Sequence, residues 1–270
     1  MNFANLLSQL MEGFGYTLLL FVFTLVISLP LGLLVCFGRR NKWAPLRFLA
    51  REDELILLEF TPVEGKRLKN RLGQWWTSFK NFLRRFWRGF VNGLSRLKPI
   101  QLLIKFFISI LRGTPLMLQI IVVFFAPYYV FGLRTSADYR IWAVVIAFGI
   151  NYAAYFAEIF RSGIESIPVG QNEAAEVLGY TKSQTFIKII LPQMIKRVLP
   201  PVTNEVITLV KDTSLAFVIG YLEMFNVAKQ IAAARTNILP LFVAGVFYFV
   251  FNAIVAWAME RAEKSLSYYN

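Results

Sequence analysis

The chain has 270 residues, 57% of them apolar and 26 of them Phe, above the roughly 45–50% apolar content of soluble domains, so it reads as a membrane protein. It has no His and a single Cys, Cys36, inside an apolar run, which excludes a disulfide framework and a thiolate metal site and removes the commonest general base. The net charge of +13 is unevenly spread, because 15 of the 29 Lys and Arg lie between Arg39 and Lys98 with only five acids. A basic block bracketed by apolar spans marks the cytoplasmic side of a membrane rather than a nucleic-acid partner.

The elements follow in chain order. Tyr16 to Phe37 is the first stretch of about 20 apolar residues, with Pro30 and Gly32 tolerated inside a helix bundle. No basic region precedes it, so it is not a cleavable signal peptide. Residues 39–98 form a basic cytoplasmic insertion. From Lys66 to Lys98, Leu68, Leu72, Trp75, Trp76, Phe79, Leu83, Phe86, Phe90, Leu94 and Leu97 recur at three- and four-residue steps among Arg and Lys. That pattern predicts one or two amphipathic helices lying on anionic lipid, with packing against a partner or a hairpin with Glu54–Phe60 as the competing readings.

The second span runs from Leu102 to Phe125, interrupted by Lys105 and by Arg112-Gly113-Thr114-Pro115. Pro115 removes a helix donor and Gly113 permits a bend; the break either frees backbone groups toward a solute or tilts the helix. Spans three to five cover Ile141–Phe160, Val198–Ile219 and Leu239–Met259. The prediction is therefore an all-α integral membrane protein with five transmembrane helices, divided into residues 1–38, the insertion 39–98 and a core 99–270. Basic 39–98 and 161–197 face the cytoplasm, as does the C-terminus; the N-terminus and the connections 126–140 and 221–238 face outward.

Loop 161–197 has a defined pattern. It contains Gly170, then Glu173-Ala174-Ala175, then Gly179 where a helix would end, a second helical run from Ser183 to Ile190, and a Leu191-Pro192 stop. Two short helices with a small-residue face suit docking to a partner; an ordinary surface helix-turn-helix is the plain alternative.

Span four is the least apolar. At about 100° per residue, Asn204, Glu205, Thr208, Lys211 and Asp212 share an arc of roughly 120°, followed by Thr213 and Ser214. Such a stripe faces the protein interior or a polar solute path, or else its charges only neutralise one another and hold helices together. In span three, Asn151, Tyr155 and Glu158 share a face that either lines the same path or, at Glu158, pairs with Arg161 as an interfacial anchor.

Arg112-Gly113-Thr114-Pro115-Leu116, Tyr155-Phe156-Ala157-Glu158-Ile159-Phe160-Arg161, Gly170-Gln171-x-Glu173-Ala174-Ala175, Leu199-Pro200-Pro201-x-Thr203-Asn204-Glu205 and Lys211-Asp212-Thr213-Ser214-Leu215 together resemble the signature of polar amino acid ABC transporter permeases. The docking loop resembles that family's EAA loop. The resemblance implies a type I importer permease with no catalytic chemistry of its own, paired with a second permease subunit, identical or not. It implies two cytoplasmic ATPase subunits and an extracytoplasmic amino-acid-binding protein. No phosphate-cradling G-x-x-x-x-G-K-S/T occurs here, so ATP and magnesium fall to the ATPase subunits. One departure is an extra stretch of about 45 residues near 51–96, where the family has a short loop. Two other classes are weaker: an ion-coupled secondary transporter, against which the docking loop argues, and a membrane enzyme using Glu158, Glu205 and Asp212, for which no nucleophile and base are paired.

Overall fold

The computed structural model describes residues 3–40, 59, 67–95, 98–134, 136 and 138–266. Every regular element among them is helical: α1 (Phe3–Arg39), α2 (Arg67–Ser95), α3 (Pro99–Gly113), α4 (Leu116–Phe131), α5 (Tyr139–Glu165), α6 (Gly170–Val177), α7 (Lys182–Thr185), α8 (Leu191–Asp212), α9 (Met224–Arg235) and α10 (Leu239–Leu266). A π-helical turn, Phe186–Ile190, joins α7 to α8, and a 3₁₀ segment, Thr213–Ile219, extends α8. The chain divides into two units, one of residues 1–37 with 106–270 and the other of 38–105.

In the larger unit α5 is the central helix. Its alanine-rich sequence, with Ala143, Ala147, Ala153, Ala154 and Ala157 buried, lets neighbours approach closely, as membrane helices do where packing rather than water drives association. Gly32 of α1 lies so near Phe156 that a Cβ there would stand 2.8 Å from the Phe156 Cβ. The other half of α1 packs on α9 and α10: Leu6 and Leu10 share a cluster with Met224, Ala228 and Ala244, and Phe14 meets Phe251 edge-on at 5.2 Å. The first helix thus starts at Phe3, well before the apolar run at Tyr16, because Leu6 and Leu10 gain burial on α9 while Ser8, Gln9 and Glu12 stay exposed.

Among the described residues three helices, α1, α5 and α10, are long and apolar enough to cross a membrane, and α3 with α4 adds a fourth if that pair, bent by 110°, is one span. The second predicted span is therefore no straight helix from Leu102 to Phe125. In α3, Gln101, Lys105 and Arg112 fall on one side, while Leu102, Leu103, Phe106, Phe107 and Ile110 are exposed on the other; this is an amphipathic helix. Past the break α4 continues to Phe131 and closes at Gly132, whose φ is +66°. The fourth predicted span corresponds to α8, 22 residues long and about 33 Å. It falls outside the apolar set because of the polar residues the sequence places there.

Two connections are shorter than expected. Helix α5 runs to Glu165 and α8 starts at Leu191, so the docking loop is confined to 166–190. Leu191-Pro192 is not a stop: it opens α8, since Pro is tolerated in a first turn where the amide lacks an intrahelical partner. The 221–238 connection is mostly the helix α9, which buries Met224, Asn226, Ala228 and Ala232.

Candidate functional site

The sequence-predicted site residues gather in two places in the larger unit, the loop 166–190 and the face where α4, α5 and α8 meet. In the loop, α6 buries Ala175 and leaves Gly170, Glu173 and Ala174 exposed. It ends at Gly179, with φ +77°, a left-handed value that a Cβ disfavours. The turn is closed by the Gly179 amide on the Glu176 carbonyl, 3.0 Å, and the Tyr180 amide on the Ala175 carbonyl, 3.0 Å. Thr181 and Gln184 then form a reciprocal capping box at the start of α7, which satisfies two amides that would otherwise be orphaned. Val177 and Leu178 stand 88% and 73% exposed beside Gly179, an apolar lip on an otherwise polar loop. The π turn carries this unit into α8 with no irregular segment between, so the loop and α8 are mechanically continuous.

At the break between α3 and α4 the backbone loses helical partners, and side chains replace them. Thr114 Oγ1 donates to the Ile110 carbonyl at 2.8 Å. The Gln119 amide donates to the Leu111 carbonyl at 2.8 Å and to the Thr114 carbonyl at 3.1 Å. From α5, the Asn151 amide donates to the same Leu111 carbonyl at 3.1 Å and to Gln119 Oε1 at 3.0 Å. Asn151 is only 4% exposed. Its polar end therefore fastens the break to α5. Gln119 was missed by sequence reasoning, although a Gln four residues after Pro115 in an apolar helix is the signal for such a cap.

The break aims Arg112 at α5, its guanidinium 5.2 Å from the Tyr155 ring centre, within cation–π range. The Tyr155 ring lies 6.2 Å from that of Tyr152, and Tyr152 donates its phenol to Asp212 Oδ2 at 2.8 Å. Arg112 is also near enough to Glu205 to attract its carboxylate. Four motifs far apart in sequence thus converge on one surface. Glu158 lies nearer the loop end of α5 and pairs with Arg161 at 3.0 Å, as the anchor reading anticipates, while Arg161 also bonds Glu165.

Along α8, Val202, Val206, Leu209 and Val210 are buried, whereas Asn204, Thr208 and Lys211 are exposed and Glu205 and Asp212 half-buried. Three of the five stripe residues, Asn204, Thr208 and Lys211, face away from the subunit's own core, while Glu205 and Asp212 lie at its edge. Thr213 and Ser214 serve the helix end: Thr213 is buried and donates to the Val210 carbonyl at 2.7 Å, and Ser214 donates to that of Lys211 at 2.8 Å. Thr203 turns the other way and bonds Glu263 of α10 at 2.6 Å.

A further buried acid went unread in the sequence. Glu223 is fully buried and caps α9, accepting from the amides of Phe225 at 2.6 Å and Asn226 at 2.7 Å and from the Tyr248 hydroxyl at 2.9 Å. Burial pushes its carboxyl up to about 7 against those bonds. Beside it, Thr17 Oγ1 accepts the Met224 amide at 3.1 Å. A lone Glu after an apolar run reads as a surface connection, and only the packing of α1 and α10 around it shows otherwise.

With this geometry in place, comparison with known proteins is specific. A family model described as "Binding-protein-dependent transport system inner membrane component" matches residues 86–268. The arginine transport system permease protein ArtQ of Bacillus subtilis (strain 168) is 37% identical over 174 residues, covering 64% of this chain and 78% of its own. The octopine transport system permease protein OccM of Rhizobium radiobacter is 37% identical over 185 residues, covering 64% and 73%. The L-cystine transport system permease protein TcyL of B. subtilis (strain 168) is 35% identical over 189 residues, covering 66% and 79%. Among solved structures, an amino acid ABC transporter crystallised with histidines aligns with a TM-score of 0.69 at 24% identity, covering 98% of this chain and 99% of that one. The MetNI methionine ABC transporter in an inward-facing conformation aligns at 0.57 and 16%, covering 97% and 96%. At those identities the structures speak to the fold.

Proposed function

The chain belongs to the family of binding-protein-dependent transport system inner membrane components, and from that premise we propose that it is the transmembrane subunit of an ATP-driven importer for polar amino acids. The observation that carries the reading is the face of α8, where Asn204, Thr208 and Lys211 stand exposed on a helix whose other side is closed by Val206, Leu209 and Val210. A polar face at membrane depth requires water, solute or another polar surface over it. A second permease subunit, identical or homologous, supplies the opposite wall of the path. Arg112, Tyr155, Asn204, Glu205, Thr208, Lys211 and Asp212 line this half, offering both charge signs, amide and hydroxyl. That mixture suits a solute with its own ammonium and carboxylate. Relatives named for arginine, octopine and L-cystine transport favour the amino-acid class without selecting a member of it.

The loop 166–190 faces the cytoplasm in this reading, with the N-terminus outside and the C-terminus inside. Glu173, Ala174 and the apolar lip beside Gly179 meet one of two ATPase subunits, which hold ATP and magnesium. Ala175 packs α6 on its own subunit, Gly170 leaves the exposed start of α6 open to the ATPase, and Leu191 and Pro192 pass the loop's movement into α8. An extracytoplasmic binding protein delivers the solute, and anionic lipid meets α2. No covalent step is asked of this chain, since alternating access needs only movement. The test is uptake of a panel of labelled amino acids by the complex reconstituted with its co-purifying ATPase. The expected result is ATP-dependent uptake of one polar amino acid or a few. Uptake driven by an ion gradient, with no ATPase bound, overturns the assignment.

A further inference from the structure

Helix α2 has 29 residues and a length of about 43 Å, contains seven Lys and Arg and no acid, and is uncovered on its apolar side. Trp75, Trp76, Phe79, Phe82, Leu83, Phe86 and Trp87 are each 39–65% exposed. At about 100° per residue these seven occupy a continuous arc of about 140° centred near Phe79. Trp75 stacks on Phe79 at 5.7 Å and on Trp76 at 6.2 Å, so the face is a sheet of rings rather than scattered side chains. The basic groups border that arc on both sides, Lys80 next to Trp76 and Trp87 on one flank and Arg85 beyond Phe82 on the other, with Arg84 and Arg88 behind. Lys80 bends its ammonium over the Trp76 ring, 5.4 Å from the centre.

We propose that α2 lies in the plane of the cytoplasmic leaflet, its aromatic arc among the acyl chains and its two basic flanks at the phosphates, and that transport becomes sensitive to anionic lipid and salt through this contact. The proposal rests on the reading of the chain as an importer permease, which puts 39–98 on the cytoplasmic side. Charge complementarity selects the occupant. An acidic protein groove would satisfy the charge on whichever side it touched, whereas basic residues bordering a broad apolar arc on both edges match a surface that has phosphates on both sides and hydrocarbon between. The family model begins at residue 86, so most of α2 lies outside the matched region.

The test uses the full chain in its complex with the co-purifying ATPase, reconstituted in phosphatidylcholine vesicles with or without about 30% phosphatidylglycerol. Single cysteines replace Phe79 or the exposed Gln74, about 140° apart round α2, in a Cys36→Ser background. With anionic lipid, Phe79→Cys reacts about tenfold more slowly than Gln74→Cys with a water-soluble thiol reagent. Adding Lys80→Glu, Arg84→Glu and Arg85→Glu, raising salt in the anionic vesicles, or omitting phosphatidylglycerol abolishes that protection. Each charge removed weakens the contact about fivefold. Equal reactivity of the two cysteines in anionic vesicles overturns the proposal. So does protection that persists in detergent and disappears when the ATPase is stripped, which would make the ATPase the occupant. Solute-stimulated ATP hydrolysis, measured on the same vesicles, separates the two readings: its absence from the native complex counts against the importer role and leaves the labelling result standing.

Discussion

Helices α8 and α2 are both two-faced and both leave a face uncovered, yet the exposed faces are opposite in kind. Helix α8 hides Val206, Leu209 and Val210 and presents Asn204, Thr208 and Lys211; α2 presents Trp75, Phe79 and Phe86. The lesson is that exposure identifies a partner only when the surroundings of the element are known. In a helix packed at membrane depth an exposed amide or ammonium calls for a polar path, whereas in a basic amphipathic helix an exposed tryptophan calls for hydrocarbon. The same helical periodicity underlies both, and what differs is the side on which each helix meets its own protein.

The largest effect that can break this contrast comes from the loop that feeds α8. Gly179 holds φ +77°, and a β-branched residue there costs roughly 1–2 kcal/mol or more in backbone strain. Gly179→Val is expected to leave membrane insertion intact and to abolish solute-stimulated ATP hydrolysis, as is Glu173→Lys by reversing the charge offered to the ATPase. Deleting about residues 51–96 is expected to spare hydrolysis, since α2 lies outside the coupling path. Normal stimulation in correctly inserted Gly179→Val and Glu173→Lys would falsify the coupling role of the loop.

Next in size is the contrast around α8 itself. Cysteines at Asn204, Thr208 and Lys211 should label with small water-soluble thiol reagents, at rates that change with nucleotide or solute. A cysteine at the buried Leu209 should label about a hundredfold more slowly, as an amide sequestered from water opens only rarely. Uniform labelling around the helix, or none at the three stripe positions in any state, removes the path from α8 and leaves a purely structural stripe.

The stripe, the glycine turn and the amphipathic helix α2 were legible in the sequence because each rests on local periodicity or on a residue with a special backbone role. The bend at Arg112–Pro115 was legible as a break, but not its 110° size, which depends on Gln119 and Asn151 reaching over to replace lost partners. Asn151 shows the general limit. Its position four residues before Tyr155 and seven before Glu158 placed it on their face, while its bonding partners at Leu111 and Gln119 are 40 and 32 residues away. The start of α8 at Leu191 was hidden for another reason: Pro192 reads equally as a helix stop and as a first-turn residue until the π turn before it is seen.

Glu223 gives a smaller and pH-dependent effect. Its carboxyl rises from an ordinary 4.5 to about 7 in the folded chain, chiefly by burial. The folded state therefore holds a proton that the unfolded state has released between those values, so stability is greatest below about 4.5, falls as pH rises to about 7, and is level above. The full difference is about 3 kcal/mol. Glu223→Gln should flatten this dependence, read as melting temperature against pH in detergent, while losing part of its capping because a single amide oxygen replaces two acceptors. A native protein whose melting temperature rises steadily from pH 5 to 8, with Glu223→Gln following the same curve, removes this carboxyl from the account.

The smallest expected effect tests whether the α3–α4 break is held as a unit. Gln119 serves the Leu111 and Thr114 carbonyls, and Asn151 serves Leu111 and Gln119 itself. Asn151→Leu leaves Gln119 still capping both carbonyls and should cost about 1–2 kcal/mol, whereas Gln119→Leu strips Thr114 as well and should cost about 2–3 kcal/mol. If the two amides act through each other, the double variant costs less than the sum of the singles by about 0.5–1 kcal/mol. The same variants should raise KM for the solute more than they lower kcat, because a loosened break moves Arg112 off the Tyr155 ring without touching the docking loop. Additive costs together with an unchanged KM mean that the two side chains cap separate carbonyls independently, and that the position of Arg112 is set by the backbone of Gly113 and Pro115 alone.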